Sequence, residues 1–243
     1  MQSVLYIDSR ARTGGSTDSA FSVDLRSSVH LTDHGMRVDN IHFVNSFFTT
    51  DRGHFIYYKN GTTIQHFSVA EQAYTGSQLA AALQSATGRT TTYNAERNDI
   101  TQSLVAGQEW LNDAALRDYT SGFPAGATGT NPLSLNSILG EAVTGSTLVW
   151  EFVSMAPYTT VYLRSRTLTI HESHDPLGRH DVLCCIPLKS GIGSIETGKT
   201  PDGVYLKLTR DIVLRNVSFE LTDYQGNIVN LRGRSLNFEI CFD

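Results

Sequence analysis

The string Gly193-Ser194-Ile195-Glu196-Thr197-Gly198-Lys199-Thr200 satisfies, position by position, the pattern G-x-x-x-x-G-K-[ST] of phosphate-binding loops. In such loops the backbone N–H groups of a Gly-rich turn hold the phosphates, the lysine reaches the terminal ones, and the hydroxyl ligates Mg²⁺. The mechanism needs a buried parallel strand running into the turn and a helix leaving it, because the helix N-terminus supplies both N–H groups and a favourable dipole. Here Thr200 is followed by Pro201-Asp202-Gly203 and then by VYLKL, which alternates like a strand. Upstream, DVLCCIPLKSGI contains Pro187, which a central ladder strand tolerates poorly. The motif therefore reads as a Gly/Thr-rich loop between two strands, exposed to a neighbouring subunit, and not as the nucleotide site of an NTPase.

A second cluster, HESHDPLGRHD, places His171, His174, Asp175, His180 and Asp181 in one short span. Its spacing matches no standard metal-ligand pattern, and DPLG is a turn that puts these side chains in a solvated loop. For nucleophilic catalysis the chain has neither a G-x-S-x-G elbow nor a catalytic-cysteine signature. Cys184 and Cys185 lie in an apolar run whose alternation places one in the core and the other on the opposite face. With Cys241 they make three cysteines, an odd number that argues against a disulfide framework. No catalytic, cofactor-binding or metal-ligating residue is assigned, and the chain is read as not an enzyme.

The composition agrees. Charged residues are 18% of the chain, below the average of about 25% for soluble domains, while glycine contributes 20 residues. The net charge of −5, with only four lysines, argues against a protein that coats nucleic acid, since that needs clustered cations to displace counterions. No apolar run approaches the ~18 residues of a membrane span, and MQSVLYIDSR lacks the plan of a signal peptide. Export by the usual route is not expected, so the sequons at Asn60 and Asn216 are given no role.

These residues must be positioned by strands. SVLYID, AFSVDL and GMRVDNIHFV carry the apolar runs or alternation of β-strands, with the polar SRARTGGSTDS between the first two read as an exposed loop or arm. HFIYYKNGTTIQHFSV is a hairpin turning at Asn60-Gly61. TGSQLAAALQSATG predicts the one substantial helix, capped by Thr75 or Ser77, burying Leu79, Ala82, Leu83 and Ala86, and stopped by Gly88. TTTYNAERNDITQSL is a further hairpin, and between Gln108 and Glu141 the pattern weakens to short helical turns in EWLNDAALRDY and LSLNSILG. From Thr147 onward strands return at short intervals: TLVWEFVS, TTVYLRSR, TLTIHE, DVLCCIPL, GVYLKLTR, IVLRNVSFELTD, NIVNL and SLNFEICF. Many short strands separated by turns predict an all-β sandwich or barrel.

The order of these segments resembles that of penton-type minor capsid proteins of icosahedral double-stranded DNA viruses, the virophages, polinton-like viruses and their relatives. It is carried by YIDSRARTGGSTDSAFSVDL, IHFVNSFF, the Tyr-Asn hairpin TTTYNAERNDIT, Asn136-Ser137-Ile138-Leu139-Gly140, VYLRSRTL, VLCCIPL and the terminal ELTDYQGNIVNLRGRSLNFEICF. The resemblance implies a jelly-roll β-sandwich, and residues 1–243 are read as one structural unit; the region of about 62–140, with its helix and weak pattern, departs from a bare jelly roll and is read as a small helix-containing insertion or second β subdomain. The resemblance further implies a homopentamer at the icosahedral vertices, contacts with the major capsid protein and other minor capsid proteins, residence in the virion after assembly inside the host cell, and no cofactor. The alternative from another class is a jelly-roll receptor- or carbohydrate-binding attachment or spike protein of the virion.

Overall fold

The computed structural model describes residues 3–31, 35–145, 147–168, 178–208 and 211–242. The chain divides into two compact units, one made of Met1–Ser46 with Tyr158–Asp243 and the other of Phe47–Pro157. In chain order the first unit supplies β1 (Ser3–Asp8), β2 (Gly14–Thr17), β3 (Ala20–Leu31) and β4 (Gly35–Val44). The second supplies β5 (Phe55–Asn60), β6 (Thr63–Ser68), α1 (Gly76–Thr87), β7 (Thr91–Asn94), β8 (Asp99–Ser103), β9 (Gln108–Trp110), α2 (Asp113–Leu116), α3 (Asn136–Leu139), β10 (Ala142–Thr144) and β11 (Thr147–Trp150). The first unit then resumes with β12 (Thr160–Arg164), β13 (Val182–Pro187), β14 (Ile195–Gly198), β15 (Leu206–Lys207), β16 (Ile212–Thr222) and β17 (Leu236–Phe242).

The first unit is a jelly roll. One sheet runs β1-β17-β4-β14, with β15 also pairing β4, and the other runs β13-β12-β16-β3-β2. Every pairing is antiparallel, and the chain passes repeatedly from one sheet to the other, which gives two interleaved Greek keys. The sheets close on a core that includes Ile7, Val38, Ile41, Val161, Leu163, Ile186, Val217, Leu221 and Ile240, all at most 3% exposed. Phe219 of β16 meets Phe238 of β17 edge-on at 4.9 Å and 81°, joining one sheet to the other. In β4 the inward positions change phase, from Met36 and Val38 to Ile41 and Phe43. A bulge absorbs the extra residue: the register against β17 shifts between Asn237 and Glu239, and Asn40 takes a left-handed φ of 48°.

The second unit has its own core. Sheet β10-β11-β8-β7 and sheet β6-β5-β9 contribute Ile56, Tyr58, Ile100, Leu148 and Trp150, and α1 adds Leu79, Ala80 and Leu83. Trp110 and Trp150 meet edge-on at 6.0 Å. The helix is the one its sequence predicts, with Thr75 and Gln78 forming a reciprocal capping box and Gly88 ending it at φ 69°. The hairpin loop is Gly61-Thr62, because Asn60 is itself paired with Thr63. The unit is wider than the stretch 62–140 that weak patterning set apart. β5 lies before that stretch, and β10 and β11 after it extend the same sheet as β8.

Three segments differ from their expected form. SRARTGGSTDS is not wholly a loop: Ser9–Ala11 is a 3₁₀ turn and β2 adds an edge strand to β3. Edge pairing is made by backbone groups, so a polar, Gly-rich side-chain pattern does not reveal it. NIVNL is not a strand; Ile228 only bridges Thr222 across a turn in which the Asp223 carboxylate accepts the Gln225 and Asn227 N–H groups, both at 2.9 Å. In GVYLKLTR the described strand is short: Leu206–Lys207 pairs with β4, and Leu208 after it makes a single bridge. The strand expected at TLTIHE falls largely outside the described residues.

Replacing Thr75 by alanine removes one half of the capping box and is expected to cost about 1 kcal/mol in a denaturant titration of the chain. A change well below that would show that tertiary packing alone fixes the helix start.

Candidate functional site

The phosphate-loop string is built into the sandwich. Its centre, Ile195–Gly198, is β14, paired antiparallel with Ile41–Val44 of β4, so the expectation of a loop throughout is corrected. The exposed Ile195 and Thr197 point to solvent and Glu196, 2% exposed, points inward. The buried carboxylate accepts the Ser190 and Lys189 N–H groups at 2.9 and 3.1 Å and the Asn45 Nδ2 at 3.3 Å. Asn45 completes the clasp: its Nδ2 donates to the Ser190 carbonyl at 2.8 Å, and its backbone exchanges bonds with Gly193 and Ser194 at 2.7 and 2.8 Å.

The groups that would handle a nucleotide are already committed. The Thr200 hydroxyl accepts the Val38 N–H at 3.0 Å, and the Thr200 N–H donates to the Val38 carbonyl at 2.8 Å. Lys199 pairs with Asp202 at 2.6 Å, and the residues after it form a turn and a two-residue strand. This geometry has none of the parts of a phosphate cradle beyond its letters.

Of the other singled-out residues, His180 is exposed in a bend before β13. Asp181 accepts from Arg164 Nη1 at 2.7 Å, and the buried Arg164 also donates its Nε to Thr222 at 2.7 Å, tying β12 to β16. His171, His174 and Asp175 lie outside the described residues, among which no group of three potential ligands could hold a metal ion. Cys184 faces the core and Cys185 the surface, as alternation requires, and Cys241 is buried. Burial pushes the Cys184 thiol up to about 12, and it raises that of Cys185 as well.

What the jelly roll does present is the outer face of sheet β1-β17-β4-β14. The strand register sets Asp8, Asn237, His42 and Thr197 in one row across it, and Tyr6, Glu239 and Asp39 in the next. The β4 bulge turns Asn40 outward, where its Nδ2 donates to Glu239 at 3.0 Å and its carbonyl contacts His42 Nδ1 at 3.0 Å. Asn40, His42 and Glu239 together separate two adjoining hollows of about 320 and 760 Å³. Charges are matched within the face: Arg10 chelates Asp8, holding that carboxyl below its usual range, and Arg37 lies 3.4 Å from Asp39. Around them stand Tyr6, 73% exposed, and Ile195, 65% exposed. Glu239 is met by the neutral Asn40 amide, so the face carries little net charge, and with its exposed aromatic, aliphatic and arginine side chains it has the make-up of a contact surface. Sequence reasoning reached neither this face nor the Glu196 clasp. The one available signal was a glutamate at the inward phase of a β-run.

The sequence matches no protein-family model and no curated protein. Two solved structures are similar to the chain over nearly its whole length. The crystal structure of the mavirus penton protein covers 100% of this chain and 99% of its own, with 8% identity and a TM-score of 0.48. The 3.5 Å cryo-electron microscopy structure of the Sputnik virophage covers 98% and 97%, with 11% identity and a TM-score of 0.43. Both scores lie below 0.5, so the jelly-roll assignment stands on this chain's own strand order.

Glu196→Ala leaves two part-buried N–H groups without their acceptor and removes one of the two bonds of the Asn45 amide, and is expected to lower stability by about 1–3 kcal/mol, whereas the exposed Lys199→Ala is expected to change it little. Equal effects in denaturant titrations would contradict the clasp. With a thiol reagent the native chain is expected to react at Cys185 alone, faster as pH rises, and Cys184 and Cys241 only on unfolding. Native labelling that survives Cys185→Ser would contradict this assignment.

Proposed function

We propose that the chain is a non-enzymatic structural subunit of an icosahedral viral capsid, in its most specific form the penton. Five copies close a ring at each vertex and contact the major capsid protein and other minor capsid proteins. The observation that carries this reading is the complete jelly roll, one of the architectures on which capsid walls are built, in a chain whose ordered segments resemble penton-type proteins. A ring uses heterologous contacts, in which one face of a subunit meets a different face of the next and rotation closes the set. The outer face of β1-β17-β4-β14, of low net charge, suits such a wall, and its Arg10–Asp8 and Arg37–Asp39 pairs suit a contact that is made in one register only.

The remaining features fit the same role. The sandwich is filled by side chains, and several of the reactive-looking residues serve packing, as the Glu196 clasp and the Arg164–Asp181 pair illustrate. No cofactor and no specific nucleic acid enter the proposal, and location follows from it as the virion, with assembly inside the host cell. The inserted unit is proposed to belong to the same subunit as the jelly roll.

Expression of the full chain is expected to give pentamers by native mass spectrometry, and mixing with the cognate major capsid protein is expected to give closed shells with this chain at the vertices. A monomer that leaves shell assembly unchanged, or a particle density map without this chain, would overturn the reading. Failure of the protein to bind ATP, with assembly unaltered by Lys199→Ala, is the expected result for the phosphate-loop string.

A further inference from the structure

We propose that the loop cluster of residues 117–130, in the inserted unit, is a saccharide-binding site. It surrounds a hollow of about 660 Å³, within the usual size range of small-ligand sites. Tyr119 and Phe123 and the hydroxyl-bearing Thr120, Ser121, Thr128 and Thr130 line it, the last two with their hydroxyls 3.2 Å apart, and Arg117 is the one charged residue that does so. Pyranose rings have an apolar C–H face that packs on aromatic rings and an equatorial belt of hydroxyls that needs closely spaced donors and acceptors. This lining supplies both. It offers a single guanidinium and no carboxylate, so it accepts a neutral sugar and favours one bearing an acidic group, to which arginine makes charge-assisted hydrogen bonds. A free phosphate or nucleotide is poorly served, because a lone exposed arginine with no second cation is a weak phosphate site.

The hollow is held open by its own backbone. Gly129 lies against the Leu116 and Tyr119 carbonyls so closely that a Cβ would come within 2.7 Å of each. The Ala127 N–H donates to Pro124 at 3.1 Å, and Thr128 and Asn131 exchange backbone bonds at 2.9 and 3.1 Å. Phe123 is fixed edge-on to Tyr57 at 5.6 Å, and the Tyr57 hydroxyl is itself bound to the Pro132 carbonyl at 2.6 Å. Prearranged rings and hydroxyls reduce the ordering cost that limits weak, solvent-exposed sugar sites. The inference does not depend on the capsid role.

The test uses the full chain and saturation-transfer NMR with three probes, N-acetylneuraminic acid, N-acetylglucosamine and galactose, followed by titration of whichever binds. Binding in the millimolar range is expected, strongest for N-acetylneuraminic acid. Arg117→Ala is expected to weaken that acidic sugar about tenfold and the neutral ones less. Because Tyr119 also packs against the core and its removal risks unfolding, Thr130→Trp is the blocking variant: Thr130 is exposed, so the chain stays folded while the hollow is filled. No binding by any of the three probes, or binding unchanged by Thr130→Trp, overturns the proposal. Shell assembly measured on the same variants keeps this outcome separate from that of the capsid reading.

Discussion

The edge-on contact between Phe219 and Phe238 marks the constraint on which the jelly roll depends, the closing of two sheets over one shared apolar interior. Neither sheet could stand alone, since each is a few strands with one face that water disfavours. Their burial dictates which residues point inward on every strand, and therefore which remain outward to form a contact face. The bulge in β4 shows how strictly the rule is kept. Rather than expose Ile41 and Phe43, the strand takes Asn40 into a left-handed conformation and restores the phase.

The one carboxylate that β14 turns into this interior is answered by hydrogen-bond donors. Glu196 points inward on β14, an edge strand of its sheet path, yet its carboxylate is met by two backbone N–H groups and the Asn45 amide. An inward-pointing charge on an edge strand also discourages unplanned strand addition there, because a slipped register would strand the carboxylate without its partners. The letters that read as a phosphate loop thus serve the wall they belong to: Gly193, at a φ of 88°, lets the loop fold back onto Asn45, and Thr200 holds the β4 backbone.

Much of the fold was legible because it is written in side chains. Alternation located β3, β4 and β16, the Thr75/Gln78 spacing and Gly88 delimited α1, and Pro201-Asp202-Gly203 excluded a phosphate-binding helix. What escaped was written in the backbone or between distant segments. β2 pairs through N–H and C=O groups under a polar sequence, and NIVNL has strand-like letters but is shaped by the Asp223 turn. The candidate face unites His42 with Asn237 and Asp8 only through strand register, which no local pattern reports. Sequence reading found reactive residue types in the right neighbourhood and could not see that their partners were structural.

The pairing of β1 with β17, in which Ser3 faces Phe242, has a consequence for how the chain reaches this state. During synthesis β1, β3 and β4 emerge long before the strands that complete their sheets, so half of the jelly roll must wait with open hydrogen-bonding edges. The segment Phe47–Pro157 needs no such wait, because among the described residues its strands pair within the segment. Folding first, it would replace a long flexible loop between β4 and β12 by an ordered body, lowering the entropy still to be lost when the jelly roll closes. The interruption of the sandwich by a second unit is then also a schedule, with the local structure ready before the long-range pairing begins.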